Sequence, residues 1–161
     1  MKKKILIVDD DQHIRNSLSA ILNSEGYNTG VAEDKSAVFK QINENKPDLI
    51  LLDVHITSEQ EGYDIAQELL NDKNYKDIPV VILTSTEIVS GNNKIVDLAR
   101  KFRNNPQFEY INAILDEEKG EKILEYKSEK TGEIVRLPIE DVVSKPIETS
   151  ILLETLERVL Q

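Results

Sequence analysis

Two short apolar runs in the first third of the chain lead directly into aspartates. The run Ile5–Val8 is followed by three consecutive acids, Asp9, Asp10 and Asp11, and a second run ends at Asp53. Continuous apolar runs of this length are typical of strands buried on both faces of a parallel sheet, whose carboxyl ends meet at one edge. We therefore expect an α/β fold with an acidic pocket at that edge.

Such a pocket calls for a cation, because carboxylates a few ångströms apart repel each other and raise one another's pKa. The chain contains no cysteine, so thiolate metal sites and thiol nucleophiles are excluded. Oxygen ligands suit Mg²⁺ (or Mn²⁺), and Mg²⁺ often shares its site with a phosphoryl group. The acidic edge therefore indicates phosphoryl chemistry.

Composition narrows the class of protein further. The 161 residues, with 39% hydrophobic content, suffice for a single domain, residues 1–161, with its own core. The net charge of -10 repels phosphate backbones and anionic lipid. No apolar stretch approaches the roughly 20 residues of a membrane span, and the N-terminus does not read as a signal peptide. We expect a cytoplasmic protein whose partners are proteins, with no direct nucleic-acid contact and no membrane insertion.

Strand and helix patterns alternate five times along the chain. Apolar runs predict strands at the segments that begin near Ile5, Asn28, Leu49, Val80 and Ile139. Between and after them, apolar residues recur at helical spacing, and Asp34 is placed to cap the second helix. This alternation predicts a parallel sheet covered by helices on both faces, with its ligand beyond the carboxyl ends of the strands.

One segment, between the fourth and fifth predicted strands, is too long for this pattern. It spans about 60 positions, whereas one helix with two loops needs only about 15 to 23. The spacing of Phe108, Ile111 and Leu115 predicts a helical face. Two alternating runs around Thr131-Gly132 predict a β-hairpin. We expect residues 104–138 to form an inserted helix and hairpin.

The strand ends supply side chains suited to transferring a phosphoryl group to a carboxylate. Asp9 and Asp10 can hold Mg²⁺, and Asp53 can offer a carboxylate oxygen as the nucleophile, giving an acyl phosphate. Lys145 can neutralise charge on the transferring oxygens, and the Thr84 hydroxyl can donate a hydrogen bond to the phosphoryl group. The chemistry would consist mostly of positioning and electrostatics.

Taken in order, these motifs resemble the receiver domain of two-component response regulators. The matching segments are KILIVDDDQHIR, PDLILLDV, IPVVILTS and VVSKPI, which begin at Lys4, Pro47, Ile78 and Val142. The resemblance covers about residues 3–103 and 139–161. It implies a flavodoxin-like, doubly wound sheet of five parallel strands in the order 2-1-3-4-5, with the insertion before the last strand.

The resemblance also implies a metal site. Asp53 would be the phospho-acceptor and a ligand of Mg²⁺ or Mn²⁺, and Asp10 would be a direct ligand. Asp9 would act largely through water, and the main-chain carbonyl of His55 would complete the protein's share of the ligands.

Further roles follow from the same resemblance. Thr84 would be the hydroxyl that moves to the phosphoryl group, Lys145 the ion-pair partner of that group, and the peptide bond before Pro146 would be cis. The phosphoryl donor would be a histidine kinase, a phosphotransfer protein or a small molecule such as acetyl phosphate. The protein would be a signalling protein, not an enzyme, and its only reactions would be its own phosphorylation and dephosphorylation.

Two positions depart from the family pattern. Receivers that dimerise or dock through the face beside their last strand usually carry Tyr or Phe three positions before the lysine, where this chain has Val142. Thr57 stands in the loop after the acceptor, where proline is common. We interpret the insertion as replacing or masking the usual docking face, and the alternative is a loop extension that only stabilises its neighbours.

Two functions from different classes remain open at this point. We prefer a stand-alone receiver, monomeric or weakly dimeric, that signals to a downstream protein partner. The alternative is a receiver-fold binding module that does not switch on phosphorylation and uses the insertion as its docking surface. A phosphohydrolase ranks lower because it generally needs a second acid where His55 stands. A flavodoxin-type carrier needs a phosphate-cradling loop in place of the three aspartates.

Overall fold

The structure is a computed structural model that describes residues 2–56, 61–85, 88–103, 105 and 113–161. The chain divides into two compact units, residues 1–84 with 141–161, and residues 85–140. In chain order the elements are β1 (Lys4–Val8), α1 (Gln12–Ser24), β2 (Asn28–Ala32), α2 (Lys35–Glu44), β3 (Leu49–Asp53), α3 (Glu61–Asn71), β4 (Val80–Thr84), β5 (Ile88–Ser90), α4 (Asn93–Phe102), β6 (Ala113–Glu118), β7 (Glu121–Lys127), β8 (Ile134–Ile139), β9 (Asp141–Ser144) and α5 (Thr149–Val159).

The first unit is built around a parallel sheet of five strands in the order β2-β1-β3-β4-β9. Every residue of β3 and of β4 is buried. A strand covered on both faces presents no side to solvent, which explains why these segments read as continuous apolar runs and do not alternate. With β9 as the fifth strand, the predicted flavodoxin-like fold and its strand order are confirmed.

The helices of this unit bury one apolar stripe each. Leu18 and Leu22 of α1 and Leu152 and Leu156 of α5 share one core with alternate residues of the central strands, namely Ile5, Ile7, Leu49, Leu51, Val81, Leu83 and Val143. The predicted cap of α2 is present, since the Asp34 carboxylate accepts a hydrogen bond from the main-chain N–H of Ala37. Both features follow from local sequence, because helical spacing and capping residues act within one or two turns.

The second unit contains a four-stranded sheet in the order β5-β6-β7-β8, together with α4. Strands β5 and β6 pair in parallel, and the other neighbours are antiparallel. The loop between β7 and β8 contains Gly132 with φ of 72°, so the predicted hairpin around Thr131-Gly132 is confirmed. On α4, Val96 and Ala99 pack with Ile114 and Val89 of this sheet.

Two local predictions in this region are wrong. Leu115 lies in β6, paired with Leu124 of β7, and not on a helical face; Phe108 and Ile111 lie outside the described residues. The predicted last strand also began too early, because Ile139 ends β8 and pairs with Lys122, while β9 starts at Asp141. In both cases strand pairing decides the assignment, because Leu115 pairs with the next strand, β7, and Asp141 pairs with Val81 of β4.

No helix within the described ranges is long and apolar enough to cross a membrane.

Candidate functional site

The carboxyl ends of four parallel strands bring the candidate residues to one edge of the first unit's sheet. Asp53 and Thr84 are the last residues of β3 and β4, and Asp9 and Lys145 come directly after β1 and β9. The register supports this arrangement, because Thr84 pairs with Ser144, the residue immediately before Lys145. The fold therefore places side chains from four distant parts of the chain at the predicted edge.

Three carboxylates converge at this edge. One oxygen from each of Asp9, Asp10 and Asp53 lies within 4.8 Å of the others. Asp9 and Asp53 are buried, whereas Asp10 is exposed. A group of oxygen ligands with one side open to water fits a hard divalent cation that retains part of its hydration shell. The donor set thus fits Mg²⁺ or Mn²⁺.

Asp11, the third acid of the run, has a different role. It is the N-cap of α1, and its carboxylate Oδ1 accepts a hydrogen bond of 2.8 Å from the main-chain N–H of His13. This contact satisfies one of the free N–H groups at the start of the helix. The structure therefore separates one capping acid from the two acids that face the cluster.

Lys145 supplies the positive charge of the cluster. Its Nζ atom lies 2.9 Å from Oδ2 of Asp9 and 3.3 Å from Oδ1 of Asp53. The main-chain N–H of Lys145 donates to the carbonyl oxygen of Thr84 at 2.8 Å, which ties the residue to the end of β4. The peptide bond between Lys145 and Pro146 is cis, as predicted.

The pKa values of Asp53 and Lys145 shift in ways that reflect this environment. Burial raises the pKa of Asp53, and the nearby charge of Asp9 raises it further, while Lys145 and the His55 N–H oppose the shift. Burial alone would lower the pKa of Lys145, but its hydrogen bond to Asp9 and the charges of Asp53 and Asp9 outweigh burial and raise it. The lysine therefore stays charged beside a carboxylate that is costly to ionise.

The other predicted residues lie at or near the same edge. The Thr84 side chain is buried at the end of β4. His55 is half-buried, and its main-chain N–H lies 3.2 Å from Oδ1 of Asp53. Val142 lies in β9, half-buried and paired with Ile82. Thr57 is outside the described residues.

Gly62, in the first turn of α3, has a positioning role that sequence reasoning missed. A Cβ atom on this residue would lie 2.1 Å from the carbonyl oxygen of Asp53 and 2.4 Å from Cα of Val54. Its N–H donates to the carbonyl oxygen of Val54 at 3.0 Å. The sequence shows only a loop glycine, and the close approach to the main chain of Asp53 depends on how α3 packs on β3.

The sheet order and the acidic edge define a flavodoxin-like α/β protein with a candidate metal centre. The family model of the response regulator receiver domain matches residues 5–99, more than half of the chain. The chain belongs to the response regulator receiver family.

Curated relatives agree with this assignment. The DNA-binding response regulator MtrA of Mycolicibacterium smegmatis is 35% identical over 85 residues, which cover 53% of this chain and 36% of the relative. The response regulator MprA of Mycobacterium sp. strain KMS is 33% identical over 90 residues, covering 56% of this chain and 38% of the relative. The chain thus spans little more than a third of the length of the curated relatives it matches.

Solved structures support the same fold. The CheY-like response regulator receiver domain protein from Methanospirillum hungatei superposes with a TM-score of 0.62 at 21% identity, covering 99% of this chain and 94% of that chain. The receiver domain of NtrX from Brucella abortus superposes with a TM-score of 0.58 at 24% identity, covering 97% of each chain. At these identities the likeness supports the fold alone.

Proposed function

We propose that this protein is a receiver that accepts a phosphoryl group on Asp53 in a Mg²⁺-dependent reaction and signals through protein contacts. The observation that carries the proposal is the position of Lys145, whose Nζ atom contacts both buried carboxylates, Asp9 and Asp53. A cation held in this way beside a group of three carboxylates is well placed to stabilise negative charge that arrives on Asp53.

In the proposed reaction, a carboxylate oxygen of Asp53 attacks the phosphorus of the donor. A new O–P bond forms while the bond from phosphorus to the donor's leaving group breaks, and the leaving group departs with its electron pair. A divalent ion held by Asp9, Asp10, Asp53 and the His55 carbonyl would supply neutralising charge for the phosphoryl oxygens. Lys145 would pair with one of these oxygens, and the Thr84 hydroxyl would donate to another.

The electrostatics of the resting site suit this reaction. Burial and Asp9 make the negative charge on Asp53 unfavourable, as its raised pKa shows. Lys145 is hydrogen-bonded to Asp9 and also contacts Asp53. Phosphorylation would give the lysine a more highly charged partner, so we infer that its contacts rearrange as the phosphoryl group arrives.

We infer that the phosphoryl donor is a histidine kinase or a phosphotransfer protein and that the downstream partner is a protein. The net charge of -10 disfavours direct contact with nucleic acid. The relatives named as DNA-binding regulators are much longer than the segment they share with this chain. Their DNA binding is therefore not carried over to it.

A second candidate function is a protein-binding module that does not switch, with residues 104–138 as an insertion that forms the docking surface. Two observations favour it. Val142 stands where receivers that dimerise or dock beside their last strand usually carry Tyr or Phe. The second unit has its own buried core and a buried carboxylate, Glu125. This candidate predicts that modification of Asp53 leaves the second unit unchanged.

The test is intact mass after incubation with acetyl phosphate and Mg²⁺. We expect a gain of one phosphoryl group in the wild-type protein and none with EDTA or in Asp53→Asn. The matched control is Asp48→Asn, because Asp48 is an exposed acid at the start of the same apolar run and should leave phosphorylation intact.

Beryllofluoride with Mg²⁺ then separates the two candidates. In a switching receiver, amide chemical shifts should change beyond the site and reach the second unit. Changes confined to the acidic edge would support the binding module. No phosphorylation and no beryllofluoride binding would overturn the proposed reaction.

A further inference from the structure

Arg15 contacts the acidic edge although it was not among the predicted site residues. It lies in the first turns of α1, and its side chain is 14% exposed. Its Nη1 atom donates a hydrogen bond of 2.8 Å to the main-chain carbonyl oxygen of Asp9. The guanidinium therefore reaches back from the helix to the end of β1.

Each polar atom of Asp9 makes a hydrogen bond. Its main-chain N–H donates to the carbonyl oxygen of Ala32 at 3.2 Å, and its Oδ1 accepts from the N–H of Asp11 at 2.9 Å. Its Oδ2 accepts from Lys145 at 2.9 Å. The carbonyl oxygen is the remaining polar atom of the residue, and Arg15 is the group that holds it.

The Asp9 carbonyl matters because it belongs to the peptide unit that joins Asp9 to Asp10. The peptide is planar, so its oxygen moves as one unit with the nitrogen and Cα of Asp10, and a hydrogen bond to the oxygen restrains all three. Asp10 is exposed, so the main chain has the larger share in placing its carboxylate. A hydrogen bond to the Asp9 carbonyl thus restrains the main-chain position from which the Asp10 side chain extends.

The salt bridge between Arg15 and Glu33 is a weaker interaction than the hydrogen bond to Asp9. Glu33 lies 3.9 Å from the guanidinium, and its side chain is 67% exposed. Exposed ion pairs at this distance contribute little to stability. The 2.8 Å hydrogen bond to the Asp9 carbonyl, made by a side chain that is only 14% exposed, is the contact with consequences for the site.

We propose that Arg15 is a positioning residue that holds the turn between β1 and α1 so that Asp9 and Asp10 are placed for metal binding. The part of this inference that concerns metal rests on the proposed function. The restraint of the turn by the hydrogen bond between Arg15 and the Asp9 carbonyl does not depend on metal.

The direction in which Arg15→Ala changes the affinity for Mg²⁺ separates a positioning role from a simple effect of charge. Arg15 is a cation near a cation site, so removing its charge alone would strengthen Mg²⁺ binding. Loss of positioning would weaken it, because partners that orient metal ligands typically contribute roughly 10-fold or more to metal affinity. A weaker affinity in Arg15→Ala cannot then be a charge effect.

The experiment compares wild type, Arg15→Ala and Glu33→Gln by isothermal titration with MgCl₂ and by amide hydrogen exchange without metal. In Arg15→Ala we expect a Kd for Mg²⁺ roughly 10-fold higher than in wild type, and faster exchange of the Asp9 and Asp11 amides. The amides of Ile7 and Leu22, in the core, should exchange as in wild type and so show that the variant is folded. Glu33→Gln should match wild type in both measurements.

Unchanged exchange of the turn amides in Arg15→Ala would overturn the inference, and so would faster exchange with equal or tighter Mg²⁺ binding. If the wild-type protein itself takes up no Mg²⁺, the proposed function fails. In that case the exchange data alone decide whether Arg15 holds the turn.

Discussion

The Nζ atom of Lys145 lies 2.9 Å from Oδ2 of Asp9, although 136 positions separate the two residues. Strands β3 and β4 stand between β1 and β9 in the sheet, so the contact is not one between neighbouring strands. It forms because parallel strands end at the same edge and the lysine side chain is long enough to span it. The same Nζ atom lies 3.3 Å from Asp53, so one cation serves two buried acids.

Replacing Lys145 with methionine should destabilise the protein and increase its dependence on divalent metal. The change keeps an unbranched stem, one atom shorter than that of lysine, but leaves two buried carboxylates without their cation. Removing one partner of a buried ion pair costs about 3 kcal/mol or more. Urea unfolding with and without MgCl₂ would measure the loss and the share that the metal restores.

The control for this prediction is Lys35→Met, because Lys35 pairs with Glu68 on the surface and both side chains are 49% exposed. That variant should lose no more than about 1 kcal/mol and show no change in its response to Mg²⁺. Equal losses in the two variants would contradict the role given to Lys145.

Asp53→Asn should raise the stability of the metal-free protein at neutral pH. The folded pKa of Asp53 lies above its ordinary value, because burial and Asp9 disfavour its charge. The ionised group therefore destabilises the fold at a pH above the folded pKa. This penalty shrinks as the pH falls through the folded pKa and disappears below the ordinary value of about 3.9.

Thermal unfolding of the two proteins from pH 8 down to pH 4, in EDTA, would check this prediction. The Tm of Asp53→Asn should exceed that of wild type by about 2 to 4 °C for each kcal/mol of repulsion removed. The difference should narrow towards pH 4. A lower Tm at pH 8 would show that Lys145 more than compensates the charge, and a difference independent of pH would show that the ionisation of Asp53 is not its cause.

Gly62→Ala should disturb the main chain at Asp53. The new Cβ atom would meet main-chain atoms of Asp53 and Val54 at 2.1 and 2.4 Å, and main chain cannot move aside as a flexible side chain can. Overpacking of this kind costs about 1 to 3 kcal/mol. We expect that loss in urea unfolding, together with slower phosphorylation of Asp53 by acetyl phosphate.

Glu68→Ala is the matched control for this substitution, because it places alanine at an exposed position of the same helix, α3. It should keep the phosphorylation rate of wild type. If Gly62→Ala is phosphorylated at the same rate as this control, the proposed reaction does not need the close approach of α3 to the main chain of Asp53.

In the second unit, Glu125→Gln should destabilise the four-stranded sheet. The Glu125 carboxylate is buried and pairs with Arg100, Arg103 and Arg136. Burial would raise its pKa, but the hydrogen bonds from Arg103 and Arg100 outweigh burial and lower it. Removal of the charge takes away the carboxylate that Arg103 contacts, while Arg100 and Arg136 still share Asp116, so we expect a loss of at most about 3 kcal/mol.

The pH dependence of this variant provides a second readout. Because the folded pKa of Glu125 is lowered, its contribution is present above the ordinary value of about 4.3 and is lost as the pH falls through the folded pKa. Hydrogen exchange of the β7 amides should therefore be much less sensitive to acid in Glu125→Gln than in wild type. The exposed hairpin variant Glu133→Gln should behave like wild type.

Much of the first unit could be predicted from the sequence because its signals are local. A strand covered on both faces must be apolar throughout, so β1, β3 and β4 stand out as continuous runs. Helical spacing and the Asp34 cap act within a few residues. The aspartates that end two of these strands indicated the acidic edge, because strand ends in a parallel sheet meet on one side.

Other features depend on contacts with residues outside the segment whose spacing was used for the prediction. Leu115 lies in β6 because it pairs with Leu124, and no spacing within 108–115 shows that partner. In the sequence the three consecutive aspartates are indistinguishable. In the structure Asp11 caps α1, whereas Asp9 and Asp10 belong to the cluster of carboxylates.

The sequence by itself therefore determined the alternation of strands and helices, the acidic edge and the identity of its lysine. Tertiary structure alone decided how α3 packs against the main chain of Asp53 through Gly62, and which carbonyl oxygen Arg15 contacts. The physical reason is the range of the forces involved. Apolar periodicity and capping act along the chain, while hydrogen bonds and close packing between elements exist only after the chain has folded.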